Sequence, residues 1–131
     1  MSVESTVKRA MEEVPKVVAA GVVDMNSGML LSIRTVQSHP QQVIDILAPA
    51  TKELFQGDLV TTIEDLFKKA RGVSSDEHYF QEILISSTHL WHYFGRLKSS
   101  ALTVLTIVAR ADVNMGLFLV KAREIVSSES I

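Results

Sequence analysis

The residues of this 131-residue chain whose types could do chemistry are four histidines, two aspartates at strand ends and a scatter of arginines. His89 and His92 are three positions apart, which on a strand sets them on opposite faces. His39 and His78 fall at expected loop or strand ends. No Asp or Glu stands at a spacing that completes a zinc site, so solvated or hydrogen-bonding histidines are expected and no metal. Asp24 and Asp112 each follow a central strand and could approach each other at one end of the sheet. Their expected work is turn formation, because Asp accepts backbone hydrogen bonds there. No Gly-x-Gly-x-x-Gly, Gly-Lys-Ser/Thr or Gly-x-Ser-x-Gly occurs, so neither a phosphate cradle nor a nucleophile elbow is indicated. No catalytic residue and no cofactor are expected.

Arg34, Arg71, Arg96 and Arg123 raise the question of an arginine finger, but nothing in their spacing selects one, and solvated surface charge is expected. Tyr79, Phe80, Trp91, Tyr93 and Phe94 alternate over two neighbouring strands, which suits cross-strand pairing and core filling. A nucleic-acid platform would need more basic neighbours than Arg96 and Lys98. The composition agrees: formal charge is −2 and the isoelectric point about 6.1, with no basic footprint for nucleic acid or anionic lipid. There is no cysteine, hence no disulfide, zinc-thiolate or thiol nucleophile. Hydrophobic residues make up 47% and mean hydropathy is +0.21, more apolar surface than so small a sphere hides, so part of it is expected at a subunit interface. No uncharged apolar run approaches the ~20 residues a membrane helix needs, and the first fifteen positions lack a signal-peptide core. A cytoplasmic protein without membrane insertion is expected.

The elements that must position these residues follow from periodicity. Val3, Val7, Ala10, Met11 and Val14 mark an amphipathic helix that Pro15 ends. Residues 16–24 are β-branched and apolar, a strand covered on both faces. Asn26-Ser27-Gly28 closes a hairpin to a second strand over 29–36. Gly21 predicts a bulge or a close backbone approach. Ser38-His39-Pro40-Gln41 has the makings of a helix start. Val43, Ile46, Leu47, Ala50 and Leu54 form one apolar stripe, and Val60, Ile63, Leu66, Phe67 and Ala70 a second, about half a turn away on a continuous helix. A straight helix over 41–71 would be about 45 Å long, so a break near Gly57-Asp58 is expected. Pro49 could kink the first half. Strands over 78–86 and 90–97 follow, then the β-branched run 101–109, a strand buried on both faces at the centre of a sheet. It turns through Arg110, Asp112 and Asn114 into an apolar terminal helix. The class is α+β, a five-stranded, mainly antiparallel sheet with helices on its faces, order α-β-β-α-β-β-β-α. One domain over 1–126 and a frayed Ser-rich tail over 127–131 are expected.

Three segments carry a resemblance: the hairpin Val22-Val23-Asp24-Met25-Asn26-Ser27-Gly28-Met29-Leu30, the helix Ile46-Leu47-Ala48-Pro49-Ala50-Thr51-Lys52-Glu53-Leu54-Phe55, and the corner Val113-Asn114-Met115-Gly116-Leu117. In this order they resemble the roadblock (dynein light chain) family over about 7–126. Two features depart from its pattern: the helical stretch over 56–71 exceeds its usual single helix, and Pro49 stands mid-helix. The resemblance implies a homodimer or heterodimer joined through the long helix and the third strand. Family members are non-catalytic scaffolds, among them light chains, signalling adaptors and bacterial polarity regulators that bind Ras-like GTPases. Residue chemistry adds to this. Residues 79–85 would be an edge strand almost without protective charge, a template for association. Ile44 and Phe55, beside the main helical stripe, would be stranded in water in a monomer. The expected dimer interface is therefore Ile44, Phe55, Tyr79, Ile83 and Ile85. Lys52, Glu53 and Gln56, on the outward helical face, are the expected surface for a Ras-like GTPase. A structural adaptor without effect on hydrolysis, or a profilin-like small-molecule sensor, are the alternatives.

Overall fold

The computed structural model describes residues 2–36, 41–75 and 78–131, the side chains of 41–46 excepted. Ser38, His39 and Pro40 of the expected helix start, and the side chain of Ile44, lie outside the described residues. The elements are α1 (Val3–Glu13), β1 (Val17–Asp24), β2 (Met29–Thr35), α2 (Gln41–Gln56), α3 (Asp58–Ala70), β3 (Glu82–Ser86), β4 (Leu90–Leu97), β5 (Ser100–Arg110) and α4 (Met115–Ser128). The strands form one sheet in the order β2-β1-β5-β4-β3, every neighbouring pair antiparallel.

The two β-branched runs, β1 and β5, lie side by side at the centre, where both faces are covered. Alternation sorts their side chains into two cores. Val22, Leu105, Ile107 and Tyr93 meet α1 and α4 on one face, with Val7, Phe118 and Ile125. Val23, Val104 and Phe94 meet α2 on the other, with Ala48 and Phe55. Of its two expected roles, Gly21 itself takes the close approach. A Cβ there would meet the Ser32 carbonyl oxygen at 3.0 Å, and the register slips one residue further on, between Val22 and Val23. Gly28 takes the left-handed conformation at φ 73°, and its N–H closes the turn onto the Asp24 carbonyl at 2.8 Å.

Because β1 and β5 run antiparallel, Asp24 and Asp112 lie at opposite ends of the sheet, not together. Each works locally. Asp24 accepts from the Asn26 N–H at 3.1 Å and from the Ser27 hydroxyl at 2.8 Å. Asp112 accepts from Lys16 Nζ at 2.6 Å. α4 runs to Ser128. Glu129 is buried, accepts from the Thr6 hydroxyl at 3.0 Å and pairs with Arg9 at 3.4 Å, joining the end of α4 to α1.

The helical stretch does break at Gly57, which precedes α3 without a side-chain cap. A Cβ there would sit 2.6 Å from the Glu53 carbonyl oxygen, a distance no side chain tolerates. Pro49 is carried within α2 without ending it. The face that α2 buries is shifted from the expected stripe, of which Leu47 and Leu54 are half-buried and Leu54 packs on the core. Ala48, Thr51 and Phe55 are buried while Ala50 is exposed, a rotation of about a quarter turn.

Gly95 serves the ring beside it. A Cβ at Gly95 would lie 2.6 Å from the Tyr93 hydroxyl, because that ring lies across the glycine to reach Glu82. Gly95→Ala is expected to destabilise by about 1–3 kcal/mol through overpacking, read as a lower urea midpoint at unchanged slope.

Candidate interaction site

The sheet has two border strands, the seven-residue β2 and the five-residue β3. β3 is its last strand, and the edge facing away from β4 has no strand partner among the described residues. It starts at Glu82 instead of His78, so Tyr79 is not an edge-strand residue: it packs on α3, its ring centroid 6.0 Å from that of Phe67. Ile83 is half-buried against the α2 core, whereas Leu84 and Ile85 are exposed. Beside this border α3 turns apolar side chains to solvent. Leu59 is 81% exposed, Leu66 61%, Phe67 53% and Ile63 42%.

Phe55 is not part of this surface. It is fully buried within one copy, among Val23, Met25, Ala48, Phe94 and Val104, so it cannot serve as a dimer contact. The quarter-turn rotation of α2 accounts for this.

Three polar groups, each gathered from distant parts of the chain, hold the open border in place. Arg96 is buried and not a surface finger. Its Nε donates to the Phe80 carbonyl at 2.7 Å and its Nη1 to that of Ala101 at 2.6 Å. Its Nη2 reaches the Phe55 carbonyl near the end of α2 at 3.5 Å, and the guanidinium lies 4.9 Å from the Phe55 ring. Burial pulls this guanidinium below its ordinary pKa, and the negative Glu64 acts against that pull. Glu64, itself buried on α3, accepts from the Tyr79 N–H at 2.6 Å and lies 3.4 Å from His78 Nδ1. Alternation from Phe94 would have placed Arg96 on the α2 face, and Glu64 lies between Val60 and Phe67 on one helical side. Those were the sequence signals for both.

Glu82, at the first position of β3, is the third group. It accepts from the Tyr93 hydroxyl at 2.8 Å and from Arg123 at 2.7 to 3.3 Å. Arg123 holds the Glu82 carboxyl below its ordinary 4.5, with Tyr93 helping against partial burial. Tyr93, buried first and facing Glu82 second, is pushed up and stays protonated. A carboxyl depressed by folding stabilises the fold above its unfolded value. That contribution is therefore expected to be present above pH about 4.5 and to fade as pH falls below it. Glu82→Gln should flatten the acid limb of urea stability measured from pH 6 to 3, at a small loss near neutrality.

The second surface lies where the β1–β2 turn meets the junction of α2 and α3. Ser27, Gly28, Pro49, Lys52, Glu53, Gln56, Gly57 and Asp58 line a shallow open hollow of about 420 Å³. Lys52, Glu53 and Gln56, expected together from helical spacing, are brought together here. Gln56 Nε2 donates to the Met25 carbonyl at 3.3 Å, fixing the helix end to the turn. The crevice under α2, between Leu47, Phe94 and His92, is only about 40 Å³, far below the size of a metabolite site. Among the described residues no group of three or more His, Asp or Glu is placed to hold a metal ion, and no helix is long and apolar enough to cross a membrane.

A five-stranded antiparallel sheet with this strand order, two helices on one face and a long helical segment on the other, is the roadblock/LC7 fold. The chain is similar in structure to MglB in a tetrameric arrangement, with TM-score 0.71 and 14% identity over 96% of this chain and 83% of the other. It is likewise similar to the gliding protein MglB of Thermus thermophilus, with TM-score 0.67 and 13% identity over 95% and 83% of the two chains. A Roadblock/LC7 domain from Streptomyces avermitilis gives 0.64 and 12% over 96% and 92%. No protein-family model matches the chain, and no curated protein matches it by sequence. At these identities the likeness is one of fold.

Proposed function

We propose that this chain is a non-catalytic, dimeric regulatory module of the cytoplasm that binds a Ras-like small GTPase and modulates its nucleotide cycle. The observation that carries the reading is the open β3 border in a roadblock sheet, with Leu84 and Ile85 exposed. Pairing two such edges satisfies their backbone groups and buries that apolar margin, with Ile83 and Ile85 at the contact and Tyr79 behind them. Similar folds in MglB, one of them in a tetrameric arrangement, support self-association and a regulatory role. The GTPase surface is the hollow of Lys52, Glu53 and Gln56, which each copy of a dimer presents once. In this reading the protein acts by shifting the GTPase's own residues.

Multiple-turnover GTP hydrolysis by a Ras-like GTPase, with and without this protein, tests the reading. Faster turnover that is lost with Lys52→Glu/Glu53→Lys supports it. Binding with unchanged turnover would leave the structural-adaptor alternative. Light scattering at micromolar concentration should return twice 14.5 kDa, and Ile83→Lys should shift it toward monomer.

A further inference from the structure

The hollow where the β1–β2 turn meets the α2–α3 junction is rich in acceptors and short of cations. Lys52 is the one cationic side chain of its lining. The stem of that lysine lies along the turn, its Cδ 3.6 Å from where a Cβ on Gly28 would stand. Its charge already has a counterpart. The Ser27 hydroxyl and the Asn26 N–H hold the Asp24 carboxyl below its ordinary value, and Lys52 lowers it further. Glu53 and Asp58, the two carboxylates of the lining, are exposed and form no ion pair among the described residues. The end of α2 and the start of α3 oppose their dipoles here, so side chains decide the sign of the hollow.

Gln56 adds an acceptor of a different kind. Its Nε2 donates to the Met25 carbonyl at 3.3 Å. Its Oε1 is buried without a hydrogen-bond partner, and among the described residues no other buried side-chain nitrogen or oxygen is left so. Buried polar atoms in folded proteins almost always have a partner. A buried acceptor left over beside two unpaired carboxylates calls for a donor that carries positive charge.

We infer that the hollow receives a basic side chain of the partner protein, a guanidinium above all, held between Glu53 and Asp58 and donating an N–H to Gln56 Oε1. This rests on reading the hollow as the partner surface, and it names the chemistry that the partner brings. A guanidinium carries its donors in one plane and in fixed, separate directions, which suits acceptors standing on two helices. An ammonium is a compact point charge and meets fewer of them. The Met25 bond is at the long end of the range, so a small turn of the Gln56 amide brings Oε1 to the incoming donor. One copy of the chain carries the whole site.

Proton–nitrogen correlation spectra of the full chain test this with three small probes: N-acetyl-arginine methylamide, its lysine counterpart, and the uncharged isostere N-acetyl-citrulline methylamide. The expected result is a saturable response to arginine at the Gln56 side-chain amide and at the backbone of Gly28, Gly57 and Asp58. Lysine should bind about threefold more weakly, and citrulline should leave these signals in place. Glu53→Gln/Asp58→Asn, both at exposed positions, should weaken arginine about tenfold. Gln56→Met, which keeps the length and removes the acceptor, should weaken it about threefold. An equal response to citrulline, unchanged binding in either variant, or shifts as large at Glu4, Glu12 and Asp65 would overturn the inference. The spectra contain no GTPase, so a silent hollow overturns this inference alone and leaves the turnover assay to judge the reading beneath it. A responsive hollow with GTPase turnover unchanged supports the inference and assigns the basic group to the partner of an adaptor.

Discussion

Replacing Arg96 by Ala is expected to lower stability by about 3–5 kcal/mol, the largest effect of any single polar substitution in this chain. The guanidinium is 2% exposed and bonds three carbonyls, those of Phe80, Ala101 and Phe55. Its removal leaves those acceptors dry, each costing about 1–3 kcal/mol if water cannot follow, and opens a void beside the Phe55 ring. Arg96→Lys should recover little, since an ammonium on a narrower stem cannot reach three carbonyls in three directions. Urea unfolding of the two variants checks this. A loss below about 1 kcal/mol for Ala, or full rescue by Lys, would mean that the buried fork is dispensable.

Phe55→Ala is expected to cost about 3–5 kcal/mol as well, through lost burial and a cavity under α2. Leu59→Ser, four residues along the chain, should leave unfolding of the single copy within about 0.5 kcal/mol while weakening self-association. The two positions look alike in a list of apolar residues on one helical stretch. They differ in what covers them: Phe55 is 0% exposed within one copy, and Leu59 is 81% exposed. Phe55→Asp would therefore unfold the chain instead of yielding a folded monomer. Thermal unfolding and light scattering on both variants separate the two effects.

The sheet was legible because its evidence is local. β-branched runs over 16–24 and 101–109, and a turn glycine at 28, need no distant partner to be read. The break at Gly57 was legible for the same reason, since two stripes half a turn apart cannot face one core from one straight helix. The open border was legible less well. His78, Tyr79 and Phe80 have strand composition, yet their partners are Glu64, Phe67 and Arg96, far away in sequence, and these hold the segment off the ladder. Phe55 was misplaced because helical periodicity gives a stripe without saying which edge of it faces in. Helical spacing alone sets Lys52, Glu53 and Gln56 near one another on α2, but not the hollow that they line. The β1–β2 turn that completes it, with Ser27 and Gly28, could come only from the fold.

The crossing of the Tyr93 ring over Gly95 has a bearing on how sequences of this fold can drift. Position 95 can acquire a methyl group only after the phenol at 93 has gone or turned aside, and Glu82 then loses one of its two supports. Positions 82, 93, 95 and 123 should accordingly change as a set, in an order where the ring leaves first.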